Sequence, residues 1–182
     1  MKPALIFVIS TIAQLFLLVM LLRFWLPVLR ADFRNPIAQG ILRLTSPLVV
    51  PVRRIIPPIG RIDTATVLVA FSIQYLTILV ILTISGVTAE ILPIAITALI
   101  DLVLLSLRLF TFAIFIHIIL SWIAPGTYNP ATAFIAMLVE PVMRPFRRLI
   151  PPISGLDISP MFAIIGLMTL AILIGTYRPF PI

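Results

Sequence analysis

An uninterrupted apolar run near the start of the chain constrains the fold more than any other feature. The run from Ala4 to Leu22 holds no charged residue and is about as long as the roughly 20 residues that a helix needs to cross a hydrocarbon core. Inside a bilayer, backbone N–H and C=O groups must be satisfied within the segment, so such a run forms a helix. Because 62% of the 182 residues are hydrophobic and 10% are charged, the composition indicates an all-α membrane protein.

Three further apolar stretches follow along the chain. The second run, Thr64 to Ala89, is uncharged, and the third, Ile91 to Trp122, contains a few charged or polar residues. The first run is followed by Arg23 where a signal peptide would have small residues for cleavage, so we interpret it as a retained span. The sequence therefore predicts about four transmembrane helices, at about residues 4–26, 64–86, 95–120 and 158–177.

The two halves of the sequence align without a gap at an offset of 94 residues. The match includes paired prolines, paired arginines and an aspartate, which apolar composition alone does not produce, so we infer an internal repeat. The predicted repeats are residues 1–89 and 90–182, with motif segments at 35–63 and 129–157. Each repeat would cross the membrane twice, which makes the two copies parallel. The motif residues are Asn35, Pro36, Arg53, Arg54, Pro57, Pro58 and Asp63, and then Asn129, Pro130, Arg147, Arg148, Pro151, Pro152 and Asp157.

Each motif begins with an asparagine followed by a proline, which is a helix start signal. Asparagine caps free backbone N–H groups, and proline at the first helical position has no N–H to lose. The predicted motif helices, Pro36 to Ser46 and Pro130 to Glu140, are too short to cross and are therefore amphipathic at the surface or re-entrant. The prolines that follow are expected to prevent a regular helix and to form a Pro-rich loop. Asp63 and Asp157 are suited to cap the next helix and to pair with the arginines.

Basic residues are concentrated in the segments between spans one and two and between spans three and four, which contain the motifs, and the opposite side has only Lys2 and Arg178. The positive-inside rule then predicts that the motif loops are cytoplasmic and that both termini face outward. The net charge is +7, but the basic residues lie beside apolar spans. We therefore expect membrane lipids with anionic headgroups as partners, and no nucleic acid. The sequence also leaves open a second copy of the chain, in a homo-oligomer, or another membrane protein as the partner.

Charged residues inside a span are costly and point to a bundle interior, an aqueous path or a partner. Asp101 and Arg108 lie seven residues apart on one face of the third span, where they can form a pair, with Gln74 or Gln14 completing a polar network. This pair indicates either an ion path or a helix-packing contact, and we favour packing. Equivalent positions in the two repeats hold Arg23 and His117, which we expect to snorkel to the membrane interface.

The polar inventory gives no catalytic site. The chain has no cysteine, one histidine and six acidic residues, and it lacks the short motifs of hydrolases, metalloproteases and nucleotide-binding loops. A single histidine without a nearby cysteine, histidine or carboxylate is also a poor metal site. We therefore predict that the protein is not an enzyme and holds no cofactor.

The repeated pattern N-P, then P, then R-R-[IL]-I-P-P-I, then D, between hydrophobic spans, resembles that of the YggT family, whose plastid relatives are called YlmG. The resemblance covers almost the whole chain and fits the two-repeat bacterial form. It implies a multi-pass protein of the bacterial inner membrane without an established enzymatic activity. Family members are linked to osmotic-shock tolerance and cation balance. Relatives in Gram-positive bacteria and plastids are associated with division-gene neighbourhoods, nucleoid organisation or cytochrome assembly.

Two hypotheses of function follow. In the first, the protein is a non-catalytic membrane organiser, or an assembly or stress-tolerance factor, whose motif segments dock on lipid headgroups or a partner protein. In the second, it is a passive ion pathway or an accessory subunit in cation homeostasis, which requires Asp101 and Arg108 to face water. The scarcity of polar residues in the spans favours the first.

Overall fold

A computed structural model describes residues 1–88, 90–123, 126, 129–150 and 157–180. Six helices account for most of these residues, and β pairing within them is limited to an isolated bridge between Ile59 and Ile62. The all-α prediction is confirmed. The helices are α1 (Lys2–Val28), α2 (Pro36–Arg53), α3 (Thr64–Ser85), α4 (Ile91–Ile123), α5 (Pro130–Leu149) and α6 (Ser159–Gly175).

Among the described residues, three helices, α1, α3 and α4, are long and apolar enough to cross a membrane. The fourth predicted span corresponds to α6, which is apolar but has 17 residues, at the short end of the range of about 17–25 residues for a spanning helix. The protein is thus an all-α membrane protein with three long candidate spans and one short one.

The helices form two similar groups of three, one from each repeat. In the first group α1 packs along α3, and α2 packs against both; in the second, α4 packs along α6, and α5 packs against both. The groups meet along α3 and α4, and again where α2 contacts α5. Between them, Gly86 ends α3 with a left-handed φ of 76°, a conformation that glycine adopts without the steric cost of a side chain.

Two prolines lie inside each motif helix, so the prediction that they would end the helix was wrong. All four are exposed, which keeps their rings away from the packed side of the helix. Burial of that packed side outweighs the cost of about 3 kcal/mol that an interior proline carries. Between α2 and α3, residues 54–63 lie outside a helix. The prolines are Pro47 and Pro51 in α2 and Pro141 and Pro145 in α5.

The apolar side chains of α2 are only partly buried. Ile41 packs inside the protein, whereas Ile37, Leu44 and Leu48 are exposed. α2 therefore has a packed face beside an exposed apolar stripe. The buried residues of α2 are Ala38, Ile41, Thr45 and Val49.

Both predicted asparagine caps are confirmed. Asn35 accepts a hydrogen bond from the Ile37 N–H at 2.9 Å, and Asn129 accepts bonds from the N–H groups of Ala131 and Thr132 at 2.9 Å. The Asn35 side chain also donates from Nδ2 to the carbonyl oxygen of Pro130 at 2.8 Å. The start of one motif helix is thereby bonded to the start of the other.

Replacing Asn35 by Asp keeps the capping oxygen but removes the Nδ2 donor that binds Pro130. Asn129→Asp is the matched control, because it also keeps a capping oxygen and puts the same charge at a helix N-terminus. We expect Asn35→Asp to lower the free energy of unfolding by about 1 kcal/mol relative to Asn129→Asp, the net value of one hydrogen bond. Thermal unfolding in detergent micelles measures the difference. Equal stabilities would show that this bond does not hold the two repeats together.

Candidate functional site

The first repeat buries an arginine where its three helices meet. Only 3% of Arg23 is exposed. Its Nη1 donates to the hydroxyl of Thr45 at 2.8 Å and to the carbonyl oxygen of Leu42 at 3.2 Å, both on α2. The prediction that Arg23 snorkels to the interface was therefore wrong. The reason is that α2 crosses beside α1 at this level and offers hydrogen-bond acceptors that an isolated span would lack.

Asp63 supplies the counter-charge at the start of α3. Its carboxylate forms an ion pair with Arg53, accepts a hydrogen bond from the Thr66 hydroxyl at 2.6 Å, and has Oδ2 3.7 Å from Nε of Arg23. The predicted pairing with the motif arginine is confirmed. Asp63 is also the N-cap residue of α3, but its side chain accepts no capping bond from the backbone, so the predicted capping by Asp63 was wrong. All three side-chain contacts are made by Oδ2, and the buried Oδ1 accepts no hydrogen bond from a described residue.

The environment of Asp63 lowers its pKa. Burial alone would raise the pKa of the Asp63 carboxyl, but hydrogen bonds from Arg53 and Thr66 and the charges of Arg53 and Arg23 outweigh burial. The carboxylate is therefore ionised at neutral pH and ties α1, α2 and α3 together through charge.

The second repeat holds an open version of the same cluster. Arg147 donates from Nε to Asp157 at 3.0 Å and from Nη1 to Glu140 at 2.8 Å. The side chains of Arg147, Asp157 and Glu140 are each about 40% exposed (38%, 39% and 44%), whereas the Asp63 side chain is 5% exposed. At the offset of 94, Glu140 and Val139 stand where the first repeat has Ser46 and Thr45. Without a buried hydroxyl in this place, the second cluster is more acidic and more accessible.

His117 stands where the first repeat has Arg23. It is half-buried and lines a cavity of about 670 Å³ together with Arg147 and Asp157. Burial alone would raise the pKa of Asp157, but hydrogen bonds from Ser159 and Arg147 and the Arg147 charge lower it overall. One of these bonds comes from the Ser159 N–H at 3.0 Å, so Asp157 serves the start of α6 as predicted.

The second arginine of each predicted pair behaves differently from the first. Arg53 and Arg147 hold the aspartates, whereas Arg54 and Arg148 are exposed and form no ion pair within 4.0 Å with a described residue. The motif thus separates a structural cation from a free one in both repeats. Of the remaining motif residues, Pro57 and Pro58 are exposed, and Pro151 and Pro152 lie outside the described residues.

Asp101 has a different partner from the predicted one. Its Oδ1 lies 2.8 Å from Nε of Arg178, and its Oδ2 accepts bonds from Arg178 at 3.0 Å and from Gln74 at 2.8 Å. The predicted contact with Gln74 is confirmed, whereas pairing with Arg108 was wrong. Arg178 lies three residues after the end of α6 and reaches the carboxylate on α4 across the helix pair. Arg108 and Gln14 line a cavity of about 70 Å³ at this cluster.

Sequence reasoning missed Thr45, Thr66 and Arg178 as ligands of charged groups. A signal for Arg178 was present: an acidic residue in a span requires a cation, and Arg178 follows the last span by a few residues. Nothing in the sequence marked the two threonines. Among the described residues there is no group of three or more His, Cys, Asp or Glu side chains able to hold a metal ion.

Fold and site together define a helical membrane protein of two repeats, each with an arginine–aspartate pair beside an exposed arginine that forms no ion pair with a described residue. The chain belongs to the CCB3/YggT family, whose sequence model matches it twice, at residues 3–84 and 96–177. This confirms the resemblance and the presence of two repeats.

Curated relatives agree with this family. The chain is 43% identical over 176 residues to the uncharacterized protein PA0392 of Pseudomonas aeruginosa, covering 96% of this chain and 89% of that protein. It is 38% identical over 171 residues to an uncharacterized protein in the proC 3′ region of Vibrio alginolyticus, covering 93% and 92%. It is 34% identical over 160 residues to the uncharacterized protein YggT of Escherichia coli K12, covering 87% and 82%. No solved structure matches the chain.

The two aspartates provide a matched test of the clusters. We expect Asp63→Asn to lower the free energy of unfolding by roughly 3 kcal/mol, because it leaves buried Arg23 without a counter-charge. Asp157→Asn should cost less than about 1 kcal/mol, since its ion pair is exposed. Thermal unfolding of both variants in detergent measures the difference, and similar losses would contradict the distinction between buried and open clusters.

The lowered pKa of Asp63 also sets a pH dependence. Its contribution to stability is complete above the unfolded-state pKa of about 3.9 and is lost as the pH falls through the lower folded-state value. Below about pH 4, wild-type stability should therefore fall towards that of Asp63→Asn. Parallel pH profiles for the two proteins would show that the carboxylate is not the titrating group.

Proposed function

We propose that the protein is a non-catalytic organiser of the bacterial inner membrane, docked on anionic lipid headgroups through Arg54 and Arg148. The observation that carries the proposal is that the two arginines of each pair make different contacts. Arg53 and Arg147 are occupied by the aspartates. Their neighbours are exposed in both repeats and have charge available for a phosphate.

The shape of α2 supports a position at the membrane surface. Its exposed apolar stripe lies beside the packed face, and Arg43 and Arg54 are exposed eleven residues apart, about three helical turns on one side. A helix with exposed apolar residues and arginines on a further face suits the boundary between headgroups and acyl chains. In this arrangement, the helix contacts lipid along its length while its packed face stays on the protein.

Charge distribution sets the orientation in this proposal. The motif side carries most of the basic residues and lies in the cytoplasm under the positive-inside rule, with the termini outward. Anionic lipids at the cytoplasmic surface attract juxtamembrane cations by about 1 kcal/mol per residue. A platform of this kind gathers lipids or partner membrane proteins, including further copies of itself, and its contribution to osmotic-stress tolerance would follow from that assembly rather than from catalysis.

The double variant Arg54→Gln/Arg148→Gln tests the docking role. At about 1 kcal/mol per arginine, we expect binding of phosphatidylglycerol to weaken about tenfold or more, with phosphatidylcholine binding unchanged. Native mass spectrometry of the detergent-solubilised protein with added lipid measures both affinities. Lys2→Gln is the matched control for each single variant, Arg54→Gln or Arg148→Gln, because it also removes one exposed positive charge, but from the other end of the molecule. Undiminished phosphatidylglycerol binding by the double variant would refute the proposal.

The ion-pathway hypothesis has one supporting feature, the polar cluster of Asp101, Arg108, Arg178 and the two glutamines. The carboxylate in this cluster is already held by Arg178 and Gln74, and the cavity beside it measures about 70 Å³. A closed ion pair and a small cavity are typical of a packing contact more than of a conduction path. We therefore rank this hypothesis second.

Ion flux decides between the two hypotheses. For the organiser, we expect proteoliposomes under potassium or sodium gradients to leak no faster than protein-free vesicles, because Asp101 is paired within the helix bundle. Asp101→Asn and Arg108→Gln should behave like wild type. Flux in the wild type that these substitutions abolish would establish the ion pathway and set aside the organiser.

A further inference from the structure

The face between α4 and α6 contains an open groove of about 810 Å³. Ala171 and Gly175 on α6 line it, and their small side chains keep it open. At Gly175, an added Cβ would meet no atom within 4 Å. The rest of the wall is mainly apolar, and it includes Leu104, Leu107, Phe112, Phe115, Met168 and Ile172.

Two arginines, Arg108 and Arg178, also line this groove. Both line the small polar cavity beside Asp101 as well, so their side chains lie in the same region of the groove. Asp101 pairs with Arg178, whereas Arg108 makes no hydrogen bond or ion pair within 4.0 Å with a described residue and is exposed. The cluster therefore has one positive charge that the described residues do not neutralise.

We propose that this groove binds one anionic phospholipid, with its phosphate against Arg108 and an acyl chain along the apolar wall. An uncompensated arginine within a span is costly unless an anion or water meets it. A phosphodiester carries the single negative charge that the cluster lacks, and charge-assisted hydrogen bonds from arginine to phosphate are among the stronger ones.

The α4 wall of the groove extends to both sides of Arg108. At 1.5 Å per residue it rises about 6 Å from Leu104 to Arg108 and about 10 Å from Arg108 to Phe115. The longer part is less than half of the hydrocarbon thickness of about 30 Å. With the phosphate at Arg108, the wall towards Phe115 would therefore cover part of one acyl chain.

The sequence argues against a second copy of the chain as the occupant. Of the six acidic residues, Asp101 is the one within the apolar spans, and it is already paired with Arg178. A second copy packed into the groove would thus bring no acidic side chain to neutralise Arg108. Lipid supplies that charge without such a residue.

The corresponding face of the first repeat lacks these features. At the offset of 94, Gln14 stands for Arg108 and Ile84 for Arg178, while Thr77 and Ile81 replace Ala171 and Gly175. Both the cations and the smallest side chains belong to the second repeat alone. The proposal goes beyond lipid docking at the motif, because it concerns one specific site between α4 and α6, on a surface that has these features in the second repeat alone.

A phosphatidylglycerol probe with a photoreactive acyl chain tests the site in phosphatidylcholine nanodiscs. Mass spectrometry of the cross-linked wild type should locate the probe on residues of the groove, such as Met168 and Ile172. We expect Arg108→Gln to reduce this cross-linking about tenfold, as loss of a charged hydrogen bond predicts. Arg108→Lys should retain most of it, because the charge is kept. Ala171→Phe, which fills the groove and leaves both arginines, should abolish it.

Further comparisons make the test decisive. The motif variant Arg54→Gln/Arg148→Gln should cross-link at the groove like wild type, so failure of one lipid site is distinguishable from failure of the other. A phosphatidylcholine probe that labels the groove equally, or Arg108→Gln with unchanged labelling, would overturn the proposal. So would displacement of the probe by oleate but not by phosphatidylglycerol, or an Ala171→Phe variant that changes only the oligomeric state. Thermal unfolding identifies any variant that is misfolded. If Ala171→Phe is misfolded, the difference in cross-linking between Arg108→Lys and Arg108→Gln decides whether the groove binds the lipid through the Arg108 charge.

Discussion

The buried ion pair between the motif and the first span is the interaction on which the first repeat depends. Arg23 comes from α1, Arg53 from the end of α2, and Asp63 from the start of α3, so a single carboxylate joins three helices. Such a cluster costs desolvation energy and specifies geometry rather than adding much stability. Removing Asp63 is expensive because Arg23 stays buried without its counter-charge. The motif segment is therefore fixed against the spans, and α2 stays beside α1 despite its two interior prolines.

The second repeat shows what happens when this constraint is relaxed. Its arginine–aspartate pair is kept, but His117 replaces the buried arginine and Glu140 adds a second carboxylate to Arg147. An exposed pair contributes little stability, so α5 depends more on apolar packing, through Phe134, Leu138 and Met143. The two repeats thus share one helix arrangement, which is stabilised mainly by a buried ion cluster in the first repeat and by apolar packing in the second. The second repeat also contains an open groove, and at the equivalent positions of the first repeat Thr77 and Ile81 replace Ala171 and Gly175.

Sequence reasoning succeeded where an interaction is local or duplicated. The asparagine caps follow from two adjacent residues, and the pairing of Arg53 with Asp63 was indicated by its recurrence in Arg147 and Asp157. It failed where contacts depend on how helices lie side by side. Arg23 was placed at the interface because its neighbours on α2 belong to another element, and the prolines of α2 were expected to break a helix whose packed face holds it together. Arg108 was paired with Asp101 on helical periodicity, which cannot show that Arg178 arrives from across the helix pair.

Charges that the protein neutralises for itself and charges that it leaves free have separate consequences. Arg23, Arg53, Arg147 and Arg178 each have a carboxylate within 4.0 Å, and such cations organise the fold. Arg54, Arg148 and Arg108 have none among the described residues, and two of them occupy equivalent places in the repeats while the third does not. In a medium whose abundant anions are lipid headgroups, free arginines beside apolar surface recruit lipid by mass action. A symmetric pair suits a general attachment to the membrane surface, and an asymmetric single cation at a groove suits recognition of one bound molecule.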